Sequence, residues 1–271
     1  MGLIIYGFFV EPYDVKVSKA DIQVEGLPES LDGLTICHLS DTHTYRHGKL
    51  ERLLEGMLSG MSADLCVITG DLLQRHSALP VLRSLVEACA PRLGAFAVVG
   101  NGDYKLEVPM PELAKEMKKV GIDLLLNESR ILSLNDENLL IIGVEDPYGG
   151  MDDLSRAMSD LPSSGFRLLL AHSPDIVMQI AGREIDLALC GHTHGGQIRL
   201  PIIGPLWFHC RYHLGISNGY FGAEDLSRAS GNMVERTQMY VSRGLAGSIV
   251  RVRFLCPPEV ALITLRRKFE Q

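Results

Sequence analysis

The sequence predicts an α/β fold in which two sheets pack face to face with helices outside them. Three observations lead there. From Leu34 to Val120, apolar runs of strand length alternate with helix-spaced segments, an order that implies parallel strands joined by helices. After Asp123 the chain turns to shorter strand-like runs with a few short helices, which suggests a second, mixed sheet. Several of the strand-like runs also end in Asp, Asn or His, and the carboxyl ends of strands form the ligand crevice of open α/β sheets.

The elements follow in order. Asp14 to Glu25 alternates in part through Val15, Val17, Ala20, Ile22 and Val24, and reads as a first strand or hairpin. Leu34–Leu39 is a strand and Leu50–Met61 a helix, with Leu50, Leu53, Leu54, Met57 and Leu58 at helical spacing. Leu65–Ile68 is a strand, Leu79–Ala90 a helix and Ala95–Val99 a strand. Pro111–Val120 is a helix, with proline near its start where its missing N–H costs nothing. Strands are expected over Asp123–Leu126, Arg130–Leu134 and Leu139–Val144, then a short helix over Asp152–Ser159. Arg167–Ala171 is a strand, Pro174–Ala181 a helix and Ile185–Cys190 a strand. The last third adds strands over Gln197–Leu200, Met239–Ser242, Val250–Phe254 and Val260–Leu265.

Composition fits this reading. The chain has 271 residues, 46% hydrophobic and 22% charged, ordinary for a soluble globular protein and enough to bury a sizeable core. No linker, repeat or low-complexity tract divides it, so a single domain over 14–271 is expected. A formal net charge of −7 argues against a general nucleic-acid-binding surface. Cys37, Cys66 and Cys190 lie in strand-like runs, Cys89 in a helical one, and no CxxC occurs. They read as buried thiols of a cytoplasmic protein, not a disulfide framework or a zinc knuckle. Residues 1–13 open with an apolar stretch, Leu3 to Val10, against the roughly 20 residues a bilayer span needs. Two readings stay open for it: a core-packed terminus, or an interfacial anchor holding the protein on the inner face of the cell membrane.

The most informative stretch is Gly191-His192-Thr193-His194, directly after an apolar run. Neutral imidazole is the commonest protein metal ligand. Extended, the two histidines would point the same way; in a turn they could reach two different ions. Other strand ends supply matching groups: Asp41 and His43, then Asp71, Asn101 with Asp103, and His172. Each signal alone is weak, since DxH and Gly-Asp turns are common. Together they read as a metal site. Asp41, His43, Asp71, Asn101, His172, His192 and His194 exceed the ligand set of one ion, so two ions sharing a carboxylate is the economical reading. Mixed carboxylate, amide and imidazole donors suit manganese first, then iron, zinc or cobalt.

On these residues the chain resembles the calcineurin-like metallophosphoesterases: Asp41-x-His43, Gly70-Asp71, Gly100-Asn101-x-Asp103, His172 in Ala-His-Ser-Pro-Asp, and Gly191-His192-x-His194. Gly195-Gly196-Gln197, Tyr240 to Leu245, Cys256 to Glu259 and Val10-Glu11-Pro12 are similar to its membrane-associated YkuE- and YaeI-like branch. The resemblance implies a four-layer α/β/β/α sandwich. It implies that Asp41, His43, Asp71 and His194 hold one divalent metal, and Asp71, Asn101, His172 and His192 a second, with Asp71 bridging. It implies a hydroxide between the metals that attacks a phosphodiester or pyrophosphate, with Asp71, Asn101 and Asp103 in the catalytic machinery. The substrate class it implies is a phosphorylated small molecule or a lipid-linked one, such as UDP-2,3-diacylglucosamine, with peripheral membrane contact.

One position departs. The family usually carries histidine where this chain has Gly102, and that histidine is held to stabilise the transition state or protonate the leaving group. An alkoxide leaving group, with a conjugate acid of pKa about 15.7, benefits from such an acid. A phosphate, with a second pKa of about 6, needs little help. Gly102 therefore leaves three readings: natural pyrophosphatase-like chemistry, an engineered substitution that slows turnover, or a weakly active or inactive metal-binding homologue serving as a scaffold. His47 and His76 read as solvated loop residues, although either could replace the imidazole. Arg75 and Arg243 are candidate phosphate clamps by type. The aromatic run Leu206–His213, with the only tryptophan, either covers the cleft or packs as a loop.

Overall fold

The central strands are apolar on both faces, and such strands need cover on both sides. In the computed structural model, which describes residues 2–212, 215–247 and 251–268, two six-stranded sheets stack face to face with helices outside each.

The chain opens with a short helix α1 (Gly2–Ile5), a π turn over Tyr6–Val10 and a 3-10 turn over Glu11–Tyr13. Then come β1 (Lys16–Val24), β2 (Thr35–Leu39), α2 (Lys49–Leu58), β3 (Leu65–Thr69), α3 (Leu79–Cys89), β4 (Ala95–Val98), α4 (Met110–Lys119) and β5 (Ile122–Leu124). The second half holds β6 (Glu128–Leu134), β7 (Glu137–Gly143), α5 (Leu154–Ala157), β8 (Phe166–Leu170), α6 (Val177–Ile180), β9 (Leu187–Cys190), β10 (Arg199–Leu200) and β11 (Gly204–Pro205). It ends with β12 (Gly219–Phe221), α7 (Ala223–Ser230), β13 (Gln238–Val241) and β14 (Glu259–Arg267). The first sheet runs β1-β14-β2-β3-β4-β5 and the second β12-β13-β9-β8-β7-β6. Strands β2 to β5 are mutually parallel, as are β7, β8, β9 and β13, so their carboxyl ends share an edge within each sheet.

Period-two alternation sorts side chains into layers. Ile36, Leu65, Val67, Phe96 and Val98 meet Leu139, Ile141, Leu168, Leu170, Leu187 and Leu189 between the sheets. Their neighbours Cys37, Cys66, Ile68 and Ala97 face outward under Leu54, Leu58, Leu82, Leu85, Leu113 and Met117 of α2, α3 and α4. On the far side, Ile142, Leu169, Ala188 and Val241 are covered by Leu154, Val177, Ile180 and Leu226. This is the α/β/β/α sandwich expected. Helix α4 shows the local logic: proline in its first turn, Lys118 and Lys119 in its last turn where they offset the helix dipole, and Leu113 and Met117 buried one turn apart. All six cysteines are buried.

Of the two readings of Asp14–Glu25 the strand holds, β1 pairing with β14. Four expectations need correction. The helices expected over Asp152–Ser159 and Pro174–Ala181 shrink to α5 and α6, the latter preceded by a 3-10 turn over Pro174–Ile176. Gln197–Leu200 keeps only the two residues of β10. Val250 lies outside the described residues, and 251–254 is coil with one bridge, Ile198 to Phe254. Arg253, on the polar side of the alternation, is buried instead and donates to the carbonyls of Arg243, Gly244, Ala246 and Cys256.

Candidate metal centre

The ligand-type residues sit on the turns that leave β2, β3, β4, β8 and β9, and the sandwich brings these turns together. The Asp41 amide donates to the Gly70 carbonyl at 3.1 Å, His43 N–H to Asp71 O at 2.8 Å, and Gly191 N–H to His172 O at 2.8 Å. These turns are sharp. Asp41, His43, Asp71, His192 and His194 all take positive φ, between 42° and 68°. Such backbone costs roughly 1 kcal/mol or more per residue and persists only where surroundings enforce it. Packing permits no bulk behind it: a Cβ on Gly191 would stand 1.7 Å from Ser40 Oγ and 2.6 Å from Asp41 Oδ2.

The side chains converge. Donor atoms of Asp41, His43 and His194 lie within 4.8 Å of one another, as do those of Asp41, Asp71 and His172. The two oxygens of Asp71 face different partners, Oδ2 towards His43 Nε2 at 3.3 Å and Oδ1 towards His172 Nε2 at 3.6 Å. His194 Nε2 lies 3.5 Å from Asp41 Oδ1. His192 Nδ1 and His172 Nε2 meet at 3.0 Å, nitrogen to nitrogen, an arrangement that wants a proton or a cation between. Asn101 sits between Gly100 and Gly102, whose amide donates to Asp71 Oδ1 at 2.6 Å.

The outer contacts aim the donors inward. His172 Nδ1 bonds the Thr69 carbonyl at 2.9 Å and His194 Nδ1 the Ala246 carbonyl at 3.1 Å. A carbonyl only accepts, so Nδ1 carries the hydrogen and the Nε2 lone pair is left for the cluster. Asp41 Oδ2 accepts from Ser40 Oγ at 2.6 Å and His192 N at 3.1 Å, which leaves Oδ1. Asp41 Oδ1, His43 Nε2, Asn101 Oδ1 and His192 Nε2 are buried without a hydrogen bond. Leaving one such atom unsatisfied costs about 1–3 kcal/mol, and two of them, Asp41 Oδ1 and His43 Nε2, belong to residues whose donor atoms converge, which fits a site built for cations. The charges agree. Burial opposes a proton on His172, but Asp71, Asp41 and Asp146 outweigh it and raise its pKa to about 9, so without a cation Nε2 holds a proton that a metal would displace. Burial and neighbouring imidazoles hold His192 and His194 well below the usual histidine range, in the neutral form a metal needs.

The remaining expected residues lie elsewhere or do other work. Asp103 is buried, with Oδ1 accepting from Leu72 N at 2.9 Å and Leu73 N at 3.2 Å and Oδ2 from Gly100 N at 2.9 Å, so it pins the Asp71 and Asn101 turns together. Burial and the Asp71 charge raise its pKa to about 7. His47 pairs with Glu55 and His76 with Glu116, both partly exposed. Arg75 stacks on the Tyr45 ring at 4.1 Å, and Arg243 pairs with Glu259 at 3.3 Å.

Two site residues escaped the motif reading. Tyr148 lies 4.5 Å, ring to ring, from His192, and His209 lies 5.8 Å from it. Asp146 shapes the Tyr148 turn by accepting from Tyr148 N at 3.1 Å and Gly149 N at 2.8 Å. Its signal was present: Asp146-Pro147-Tyr148-Gly149 follows β7, whose carboxyl end shares the ligand edge. Beside His194 an apolar groove of about 290 Å³ opens, lined by Ile198, Leu206, Trp207, Phe208 and Val252. The aromatic run thus covers the cleft flank; His213 lies outside the described residues.

Comparison with known proteins agrees with this geometry. The calcineurin-like phosphoesterase family model matches residues 34–196, more than half of the chain. The metallophosphoesterase YkuE of Bacillus subtilis is 31% identical, covering 96% of this chain and 89% of its own. The phosphodiesterase YaeI of Escherichia coli is 30% identical over 85% of this chain and 81% of its own. The UDP-2,3-diacylglucosamine pyrophosphatase LpxG of Chlamydia trachomatis is 26% identical over 96% and 92%. With strand-end motifs converged on one acidic, imidazole-rich cluster and relatives aligned along nearly its whole length, the chain belongs to the calcineurin-like phosphoesterases, hydrolases of phosphate esters that use divalent metals.

Proposed function

We propose that the protein is a dinuclear metal-dependent phosphohydrolase that cleaves a phosphodiester or pyrophosphate bond in a substrate with an apolar portion, such as a nucleotide-linked lipid. The observation that carries this is the convergence of Asp41, His43 and His194, and of Asp41, Asp71 and His172, with the two Asp71 oxygens facing His43 and His172. Asp41, His43, Asp71 and His194 would hold one ion, and Asp71, Asn101, His172 and His192 the other, manganese being the first choice for these donors. Bound there, the two ions would draw charge from the phosphoryl group and make water acidic enough to react at neutral pH.

The chain's own residues do the rest. Thr69 and Ala246 carbonyls orient His172 and His194. Asp103 holds the Asp71 and Asn101 turns in register, a positioning role. The groove beginning at His194 supports an apolar substrate portion, because anything filling it would lie beside the phosphoryl site. Leu3, Ile4 and Phe9 are 70%, 65% and 69% exposed, Tyr6 meets the Phe254 ring, and the Gly7 carbonyl accepts from Arg253 N at 2.9 Å, next to Val252 of the groove. These exposed apolar side chains support peripheral contact with the cytoplasmic membrane face; no helix among the described residues is long and apolar enough to cross a membrane.

Gly102 favours a second reading, a metal-binding homologue of little activity. One experiment separates them. Chelation should abolish hydrolysis of bis-p-nitrophenyl phosphate and added Mn²⁺ restore it. Metal-independent turnover would overturn the proposal, and tight metal content with no turnover on any phosphorus ester would favour the second reading.

A further inference from the structure

Position 102 cannot supply an imidazole, but a histidine outside the ligand set stands beside His192. A Cβ on Gly102 would lie 2.7 Å from Asp71 Oδ1 and 3.0 Å from its Cγ. His47 and His76 are occupied by Glu55 and Glu116. His209 is different. It is half-buried, its ring nitrogens make no hydrogen bond among the described residues, and its ring lies 5.8 Å from that of His192.

The imidazole is held in place without being used. Trp207 packs edge-on against it at 4.1 Å, and Tyr148 stands perpendicular at 6.4 Å. The strap carrying it is anchored next door. Buried Asp175 accepts from Arg211 N at 3.1 Å, Tyr212 N at 3.2 Å and Cys210 Sγ at 3.0 Å. Asp175 follows His172 by three residues, so the strap and a ligand turn are tied through one carboxylate. The His209 ring is fixed by its neighbours while its nitrogens stay available, and one N–H is enough to act on a phosphoryl oxygen.

We propose that His209 is the substrate-facing imidazole of this site, donating an N–H to a phosphoryl or leaving-group oxygen in place of the side chain absent at residue 102. The inference rests on the phosphohydrolase reading. In the hydrolysis, the water oxygen forms the new P–O bond and the bond from phosphorus to the leaving oxygen breaks. That oxygen keeps the electron pair, and a water proton ends on it. His209 stabilises the charge while it builds, which matters most when the leaving group is a poor one.

The test compares His209→Ala and His209→Gln with the wild type, on bis-p-nitrophenyl phosphate and on an alkyl phosphodiester. His209→Ala should lose about 10²–10³-fold on the alkyl ester, the usual cost of one such donor, and less than about tenfold on the aryl ester. Glutamine retains an N–H and should recover part of the loss, with metal content unchanged in both variants. A readout without turnover accompanies this: the ¹⁵N imidazole resonances of His209 should shift when inorganic phosphate binds the protein loaded with diamagnetic Zn²⁺. Equal losses on both esters, no loss on either, or an unmoved His209 resonance would each overturn the inference. If the wild type hydrolysed neither ester and no nucleotide pyrophosphate either, the phosphohydrolase reading itself would fail, and the phosphate-induced shift alone would decide for or against His209.

Discussion

Acidification should weaken this fold through one histidine that is not a ligand. His38 lies on β2 on the same face as Ile36, between the two sheets, and is fully buried. Its Nε2 bonds Thr69 Oγ1 at 2.8 Å, its Nδ1 has no hydrogen bond, and its ring meets Tyr240 edge-on at 6.3 Å. Burial lowers its pKa from the ordinary 6.5 to about 4, although the Glu259 and Asp41 charges pull the other way. Between those values the unfolded chain takes up a proton and the native one does not, so stability falls as pH falls. At about 1.4 kcal/mol per pH unit, this one group removes about 3 kcal/mol between pH 6.5 and 4. Urea unfolding of the wild type and His38→Gln across pH 4 to 7.5, in the presence of chelator, measures it. Glutamine can still reach Thr69 but does not titrate. The wild type should lose about 3 kcal/mol more than the variant over that window; parallel curves would refute the reasoning.

Two further outcomes follow. Gly191→Ala drives a methyl into Ser40 Oγ and Asp41 Oδ2; overpacking of this severity should cost about 3 kcal/mol, lower Tm by roughly 6–12 °C and weaken metal binding, as read by thermal unfolding with and without Mn²⁺. Unchanged Tm would show that the turn has room the structure denies. Replacing exposed Leu3 and Phe9 together by Asp should cut co-sedimentation with phosphatidylglycerol vesicles by at least about tenfold while leaving bis-p-nitrophenyl phosphate turnover intact, and equal sedimentation would remove the support for membrane contact.

The sequence carried more of the site than of the loops around it. Asp41, Asp71 and His172 could be read because each interrupts an apolar run where a strand must end, and parallel strands share an edge. The layers were equally legible, since Ile36 and Cys37, or Val67 and Ile68, alternate between two cores. What could not be read depends on contacts distant in sequence. Arg253 sits in a run that looks like a strand and is coil because its guanidinium is wanted by four carbonyls. Helix α7 and β12, in a polar stretch with weak periodicity, had no signal strong enough to mark them. His209 reaches His192 only because Asp175 ties down its strap, a contact 36 residues long at Arg211. Glu11 likewise reads as a surface acid next to proline, yet it is buried and accepts from Leu255 N at 2.9 Å, fastening the N-terminal segment to the groove side.

The central claim is that these strand ends hold two cations, with Asp71 between them. Elemental analysis of the purified, Mn²⁺-equilibrated protein beside Asp71→Ala tests it most directly. The expected result is close to two equivalents of metal per wild-type chain and at most one in the variant. One equivalent or less in the wild type, or the same content in both proteins, would contradict it.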